Sequence, residues 1–272
     1  MQHQLVQLEA DHPGFNDQDY RDRRDSIARL ALDYVEGGEL PRVSYSRLEC
    51  GTWRTVFREL LRLYPTHACA EYNQSLDAIG FHAGEIPQHC DVDEFLQSRT
   101  GFRLMPVAGL LSARDFLGLL GRRLFPATQY IRHHSAPAYT PEPDVIHELL
   151  GHAPMLGVQQ YADLSAQFGS YSKHANDEQL EKLSRLYWYT VEFGVVRQND
   201  EIRAYGSGHL SSFGELALTI SGKGAAFLPF DPEEAAHRAY DPTHMQPVLY
   251  VVDSIQEALD LSCAYAERLL RS

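Results

Sequence analysis

The sequence predicts a mostly α single domain with small β elements, and three observations carry that expectation. Its 272 residues suffice for one sizeable core and are too few for two large ones. Capping residues and Gly or Pro breakers bracket a succession of helical patterns, whereas runs with strand character are short. No internal repeat, low-complexity tract or linker divides residues 1–272.

Taken in order, a first helix is expected from about Asp17 to Glu36, ahead of Gly37-Gly38, and a second from about Thr52 to Tyr64, stopped by Pro65. A third, Ala70 to Ile79, ends at Gly80. Ser112 can cap a helix through Phe116, Ala127 to Arg132 reads as a short strand, and Pro141-Glu142-Pro143 is punctuation. Asn176 and Gln179 form a capping-box pattern for a long helix through Leu180, Leu183, Leu186 and Tyr187 to about Val195. A hairpin is expected at Asn199-Asp200 and a strand at Val248 to Val252. Ser254 and Glu257 then open a last helix towards Leu270 by another capping-box pattern.

Composition excludes several function classes. The formal net charge of −13 opposes binding to nucleic acid, and the basic cluster at Arg21, Arg23 and Arg24 is interleaved with Asp22 and Asp25. Met1-Gln2-His3-Gln4 lacks a signal-peptide pattern, and no apolar run approaches the roughly 20 residues of a membrane span, so a cytoplasmic protein without a membrane partner is expected. Cys50, Cys69, Cys90 and Cys263 are too dispersed for a Cys-x-x-Cys metal site or a disulfide framework.

The chemistry concentrates in Asp144-Val145-Ile146-His147-Glu148-Leu149-Leu150-Gly151-His152-Ala153-Pro154. Two histidines five apart are turned about 140° from one another on an α-helix, unlike the four-residue spacing of zinc proteases. Both can face one ion if the helix ends between them, and Gly151 with Pro154 would end it there. A capping histidine and a surface histidine is the other reading.

Glu192 adds a third candidate ligand. From Leu186 to Val196 it is the only charge in a segment apolar on every side, and a buried carboxylate needs a cation. Arg132 or Arg203 could supply one as a structural ion pair. Alternatively, His147, His152 and Glu192 form the facial triad of a non-haem iron(II) oxygenase. The same donors suit a zinc metallohydrolase with Glu148 as base. Tyr187, Trp188 and Phe193 would suit a flat aromatic substrate, and Arg132 could fork a carboxylate. No Gly-x-Gly-x-x-Gly or phosphate loop signals a bound nucleotide or flavin, so the electrons for oxygen activation would come from a diffusible reductant.

Across nearly its whole length the sequence resembles the pterin-dependent aromatic amino acid hydroxylases. The motifs include His12-Pro13-Gly14-Phe15, Thr66-His67-Ala68-Cys69, Thr100-Gly101-Phe102-Arg103-Leu104, Pro106-Val107-Ala108-Gly109-Leu110-Leu111 and Tyr139-Thr140-Pro141-Glu142-Pro143-Asp144. The His147 to His152 segment, Thr190-Val191-Glu192-Phe193-Gly194 and Leu210-Ser211-Ser212-Phe213-Gly214-Glu215 complete the set. The resemblance implies that family's single catalytic domain, with Fe(2+) on His147, His152 and Glu192 and with tetrahydrobiopterin and O2 as co-substrates. It implies an amino acid held by Arg132, Thr140 and Ser211 with its ring among Pro143, Trp188 and Phe193, and a pterin pocket of Val107, Gly109, Leu110, Leu111, Phe116, Glu148 and Tyr187. Glu148 and Trp188 are then the groups beside the reacting centre.

Trp188 and Phe213 match the phenylalanine hydroxylases, implying L-phenylalanine as substrate and L-tyrosine as product. A meta product, or tryptophan or tyrosine as substrate, is the alternative outcome. Pro126, Ala113, Ser184 and Met105 stand where the family usually carries His or Gln, Ser, Ala and Arg. The family's larger members have a regulatory domain and a C-terminal oligomerisation helix. Neither fits within residues 1–272, so the resemblance implies a monomer or weak dimer.

Overall fold

The computed structural model describes residues 8–10, 12–138, 140, 142–242 and 244–271. Its first half contains α1 (Gln18–Leu32), α2 (Arg47–His67), α3 (Ala70–Ile79), α4 (His89–Thr100), β1 (Arg103–Pro106), α5 (Ala113–Leu120) and β2 (Leu124–Ala127). A π-helical segment, His147–His152, leads into α6 (Ala153–Leu156), α7 (Gln159–Ser172) and α8 (Asp177–Tyr187), and a second, Trp188–Glu192, follows. Then come β3 (Val195–Gln198), β4 (Glu201–Ala204), α9 (Ser207–Leu210), α10 (Phe213–Ile220), β5 (Ala226–Pro229), α11 (Pro232–His237), β6 (Val248–Val252) and α12 (Ile255–Leu269). β1 and β2 pair in parallel, and the second sheet runs β4-β3-β6-β5 with an antiparallel β3-β4 hairpin. The expectation of a mostly helical domain with small β pieces is met.

Local differences have physical causes. α1 stops at Leu32, four residues short of Glu36. α2 starts earlier than expected, on a full capping box between Ser46 and Glu49, and continues through Pro65 to His67. Pro65 falls in the last turn, where its missing N–H costs one bond, and Ala68 N still reaches Tyr64 O at 3.0 Å. The β2 strand is Leu124–Ala127, so of the expected strand only Ala127 belongs to it. The following residues leave the sheet because Thr128 N donates to Glu148 Oε1 and Arg132 N to Asp144 Oδ2.

The capping box of Asn176 and Gln179 is present, but α8 gives way to the π segment at Trp188, and Val195 begins a strand. Asn199 and Asp200, both at positive φ, form the expected hairpin turn. Ser254 caps α12, while the Glu257 carboxylate reaches the N–H of Asp253 rather than that of Ser254. Of the expected Pro141-Glu142-Pro143 break, Pro141 lies outside the described residues.

The core is rich in fully buried aromatics, and three tyrosines among them tie it to the centre of the molecule. Tyr72 Oη donates to Leu150 O at 2.7 Å, Tyr64 Oη to Leu210 O at 2.7 Å and Tyr161 Oη to Val191 O at 2.9 Å. An α-helix would pair Leu150 O with residue 154, but that residue is Pro154 and has no N–H to give. Tyr72 fills the vacancy.

α5 crosses α7 where Gly121 meets Gly169: a Cβ on Gly169 would lie 2.0 Å from Gly121 N and 2.2 Å from Leu117 O. Backbone cannot yield as a flexible side chain can. Gly169→Ala should therefore cost about 2–3 kcal/mol and lower the Tm by several degrees in a thermal melt. An unchanged Tm would show that the crossing is not the tight contact described.

Candidate metal centre and its two pockets

His147 and His152 converge without the helix ending between them, which corrects the expectation that Gly151 breaks it. Ala153 N–H donates to Glu148 O, five residues back, so the segment winds as a π turn and brings residues five apart onto one face. Gly151 serves close packing instead, because a Cβ there would sit 2.6 Å from Ser207 O at the start of α9. Glu192 lies in the second π segment, where Phe193 N–H donates to Trp188 O, again five residues back.

The two Nε2 atoms lie 3.0 Å apart, Glu192 Oε1 is 3.2 Å from His152 Nε2, and Glu192 Oε2 is 3.6 Å from His147 Nε2. Ligand atoms at roughly 2.0–2.2 Å from one ion, at angles between 90° and tetrahedral, are separated by roughly 2.8–3.6 Å. The three side chains fit a single metal ion.

The outer atoms of these ligands agree. Ser211 Oγ donates to Ser207 O, so at 3.0 Å it accepts from His147 Nδ1. Tyr161 Oη donates to Val191 O, so at 3.4 Å it accepts from His152 Nδ1. Both rings then carry their proton on Nδ1 and aim the Nε2 lone pair inward, beside a carboxylate. Three converging acceptors require a cation. Burial lowers the His147 pKa to about 4, keeping the ring neutral as a ligand must be. Burial works against ionisation of Glu192, whereas the Ser207 hydroxyl, 2.7 Å from Oε2, favours it, and a cation on the three converging acceptors would complete its stabilisation.

Neither arginine considered as a partner for Glu192 is one. Arg132 forks onto Asp144 at 2.8 and 3.0 Å, both side chains being almost wholly buried, and Arg203 pairs with Glu201. Glu148 also lies against the histidine pair, its ligand atoms falling within 4.8 Å of theirs. Its Oε1 accepts from Thr128 N at 3.2 Å and Thr128 Oγ1 at 3.1 Å, and burial raises its pKa well above the carboxylate range.

Two pockets open onto the triad. The first, of about 350 Å³, is lined by Arg132, Thr140, Pro143, Trp188, Phe193 and Ser211 together with His147 and Glu192. All six residues assigned to an amino-acid substrate thus meet in one cavity. Arg132 is not a free fork, however: Asp144 occupies it, and Nη1 reaches Pro137 O and Ser211 O at 3.3 Å. The second pocket is lined by Val107, Gly109, Leu110, Leu111, Phe116 and Glu148, with His147, His152 and Glu192 at its base. Tyr187 stands behind this wall, edge-on to Phe116 at 5.4 Å, and does not line the pocket. Of the four departures from the resembled family, Pro126 lines it, whereas Ala113, Ser184 and Met105 do not.

Sequence reasoning missed Tyr240, stacked on Trp188 at 4.2 Å, and the lining roles of Glu142, Gly208, Glu215 and Pro242. A separate cavity of about 240 Å³ between α1 and α2 touches the far side of Arg132 and contains no metal ligand.

The sequence profile of the biopterin-dependent aromatic amino acid hydroxylases matches residues 2–272. Human phenylalanine-4-hydroxylase is 52% identical over 257 residues, 93% of this chain and 57% of that protein. Bovine tyrosine 3-monooxygenase is 48% identical over 268 residues, 97% of this chain and 54% of that protein. The chain thus spans less than three fifths of these curated relatives. Chromobacterium violaceum phenylalanine hydroxylase, solved with iron(III) and 7,8-dihydrobiopterin, superposes with a TM-score of 0.78 at 32% identity, covering 84% of this chain and 83% of that one.

The Ser207 contact generates a test. Ser207→Ala removes the hydroxyl that holds Glu192 Oε2, and affinity for Co(II), followed by its visible absorption, should fall by about 10–100-fold with the helical circular dichroism unchanged. Unaltered affinity would show that Glu192 is placed without it.

Proposed function

The chain belongs to the biopterin-dependent aromatic amino acid hydroxylases, and from that premise we propose that it hydroxylates the ring of L-phenylalanine, giving L-tyrosine. One observation carries the reading: His147 and Glu192 line both pockets, and His152 joins them in the second. Iron(II) on the triad, with a tetrahydropterin as reductant, would supply the activation of dioxygen.

The protein's own contribution is placement. His147, His152 and Glu192, the last anchored by Ser207, would hold the ion from one side. Glu148, braced by Thr128, presents its carboxyl group to the second pocket. Leu110 lines both pockets, so occupants of the two would sit side by side.

Phenylalanine is favoured over tyrosine by the ring walls. The side chains of Pro143 and Phe193 carry no hydrogen-bonding atom. A phenol seated among them would lose its hydration without compensation. The four free cysteines agree with a reducing, cytoplasmic location, and no described helix is long and apolar enough to cross a membrane.

Iron-loaded protein supplied with tetrahydrobiopterin, oxygen and phenylalanine should yield para-tyrosine, separated chromatographically from the meta and ortho isomers. Glu192→Ala should retain at least about tenfold less iron and form no product. Bound zinc with no pterin-dependent oxygen uptake would overturn the proposal, and a meta product would overturn the position assigned on the ring.

A further inference from the structure

Four aromatic rings run in series from the surface into the core beside the first pocket. Tyr240 stacks on Trp188 at 4.2 Å, Trp188 leans on Phe193 at 4.7 Å and 40°, and Phe193 meets His209 edge-on at 5.0 Å and 88°. The first three line the cavity, whereas His209 stands behind Phe193 and does not. Exposure falls along the series, from 37% at Tyr240 to 8% at Phe193 and 1% at His209. The outer end can therefore yield towards solvent, and the close-packed inner end cannot.

A histidine is a costly residue at that inner end. Neither ring nitrogen has a partner in hydrogen-bond geometry among the described residues. Burial lowers its pKa to about 3, with only the Phe193 backbone acting in the opposite direction, so the ring is a neutral imidazole. An aliphatic side chain would fill the same space at less cost in lost hydration. What it would lack is a flat ring to set at a right angle to Phe193, an arrangement favoured between aromatic rings.

The helix that carries His209 is itself fixed. Tyr64 Oη holds Leu210 O, and Gly151 packs closely on Ser207 O. A Cβ on Gly208 would lie 2.6 Å from Phe193 Cζ, so the Phe193 ring already rests against α9. Trp188, Gly208 and His209 together confine it.

We propose that His209 is a positioning residue: it backs Phe193 as a wall of the first pocket and so makes the pocket selective for a single six-membered aryl ring over fused two-ring side chains. The proposal rests on the function proposed above and deepens it. Without the imidazole, the Phe193 ring can turn back into the vacated space, and the pocket gains depth for a larger ring.

The test is calorimetric titration of the full iron-loaded chain with L-phenylalanine and with L-tryptophan. Wild-type protein should bind phenylalanine at least about tenfold more tightly, the scale on which an apolar pocket discriminates by size. His209→Ala should narrow that ratio to within about threefold, chiefly through tighter binding of tryptophan, with iron content unchanged. His209→Val, which leaves a smaller void, should move the ratio in the same direction and decides the matter if the alanine variant does not fold. His209→Leu, which refills most of the volume, should keep most of the preference. A loss of stability alone would weaken both ligands alike and leave the ratio where it was. If the folded alanine or valine variant keeps the wild-type ratio, or if wild-type protein binds the two amino acids equally, the inference fails while the proposed function stands. If wild-type protein binds neither, the proposed function fails and the inference with it.

Discussion

Everything at this site depends on winding five residues into the turn that an α-helix makes with four. The π turns at His147–His152 and Trp188–Glu192 place ligands on one face that regular α geometry would spread apart. Such turns displace carbonyl groups from their usual donors, and buried carbonyls left unpaired are costly. The fold answers with side chains: Tyr72 on Leu150 O, and Tyr161 on Val191 O. Tyr161 also accepts from His152, so a group that satisfies the displaced backbone orients a candidate ligand as well, while Ser207 gives its one hydroxyl proton to Glu192. Backbone strain and metal site are one construction.

Electrostatics follows from the same packing. The arginines nearest the triad are consumed by acids of their own, Arg132 by Asp144 and Arg24 by Glu142, so neither competes for Glu192. Burial raises the pKa of Glu148, whereas the Ser207 hydroxyl favours the charged form of Glu192 against its burial.

Much of this was legible in the sequence where the signal is local. Capping residues marked the starts of α5, α8 and α12, the left-handed Gly80 closed α3, and the lone charge of Glu192 in an apolar segment gave away its need for a cation. Nonlocal causes stayed hidden. α4 has no side-chain cap at Gln88 and gave no start signal. Ala127 to Arg132 looks like a strand throughout, but two of its N–H groups are claimed by Glu148 and Asp144 from a distant turn. Gly151 reads as a breaker because its function, close approach to Ser207, exists only once α9 has docked. The candidate ligands and pocket walls were named largely by resemblance, whereas Tyr187's place behind Phe116, the stacking of Tyr240 on Trp188 and the place of Glu215 in the first pocket required coordinates.

The central claim is that one metal ion sits where the two π turns converge, held by His147, His152 and Glu192 and open towards both pockets. Anomalous diffraction at the iron edge, from crystals of iron-loaded protein, tests it directly. A single peak is expected at roughly 2.0–2.2 Å from both Nε2 atoms and from an oxygen of Glu192, with Glu148 outside bonding distance. A peak bonded to Glu148 in place of Glu192, or a fourth protein ligand closing the coordination shell, would contradict the account.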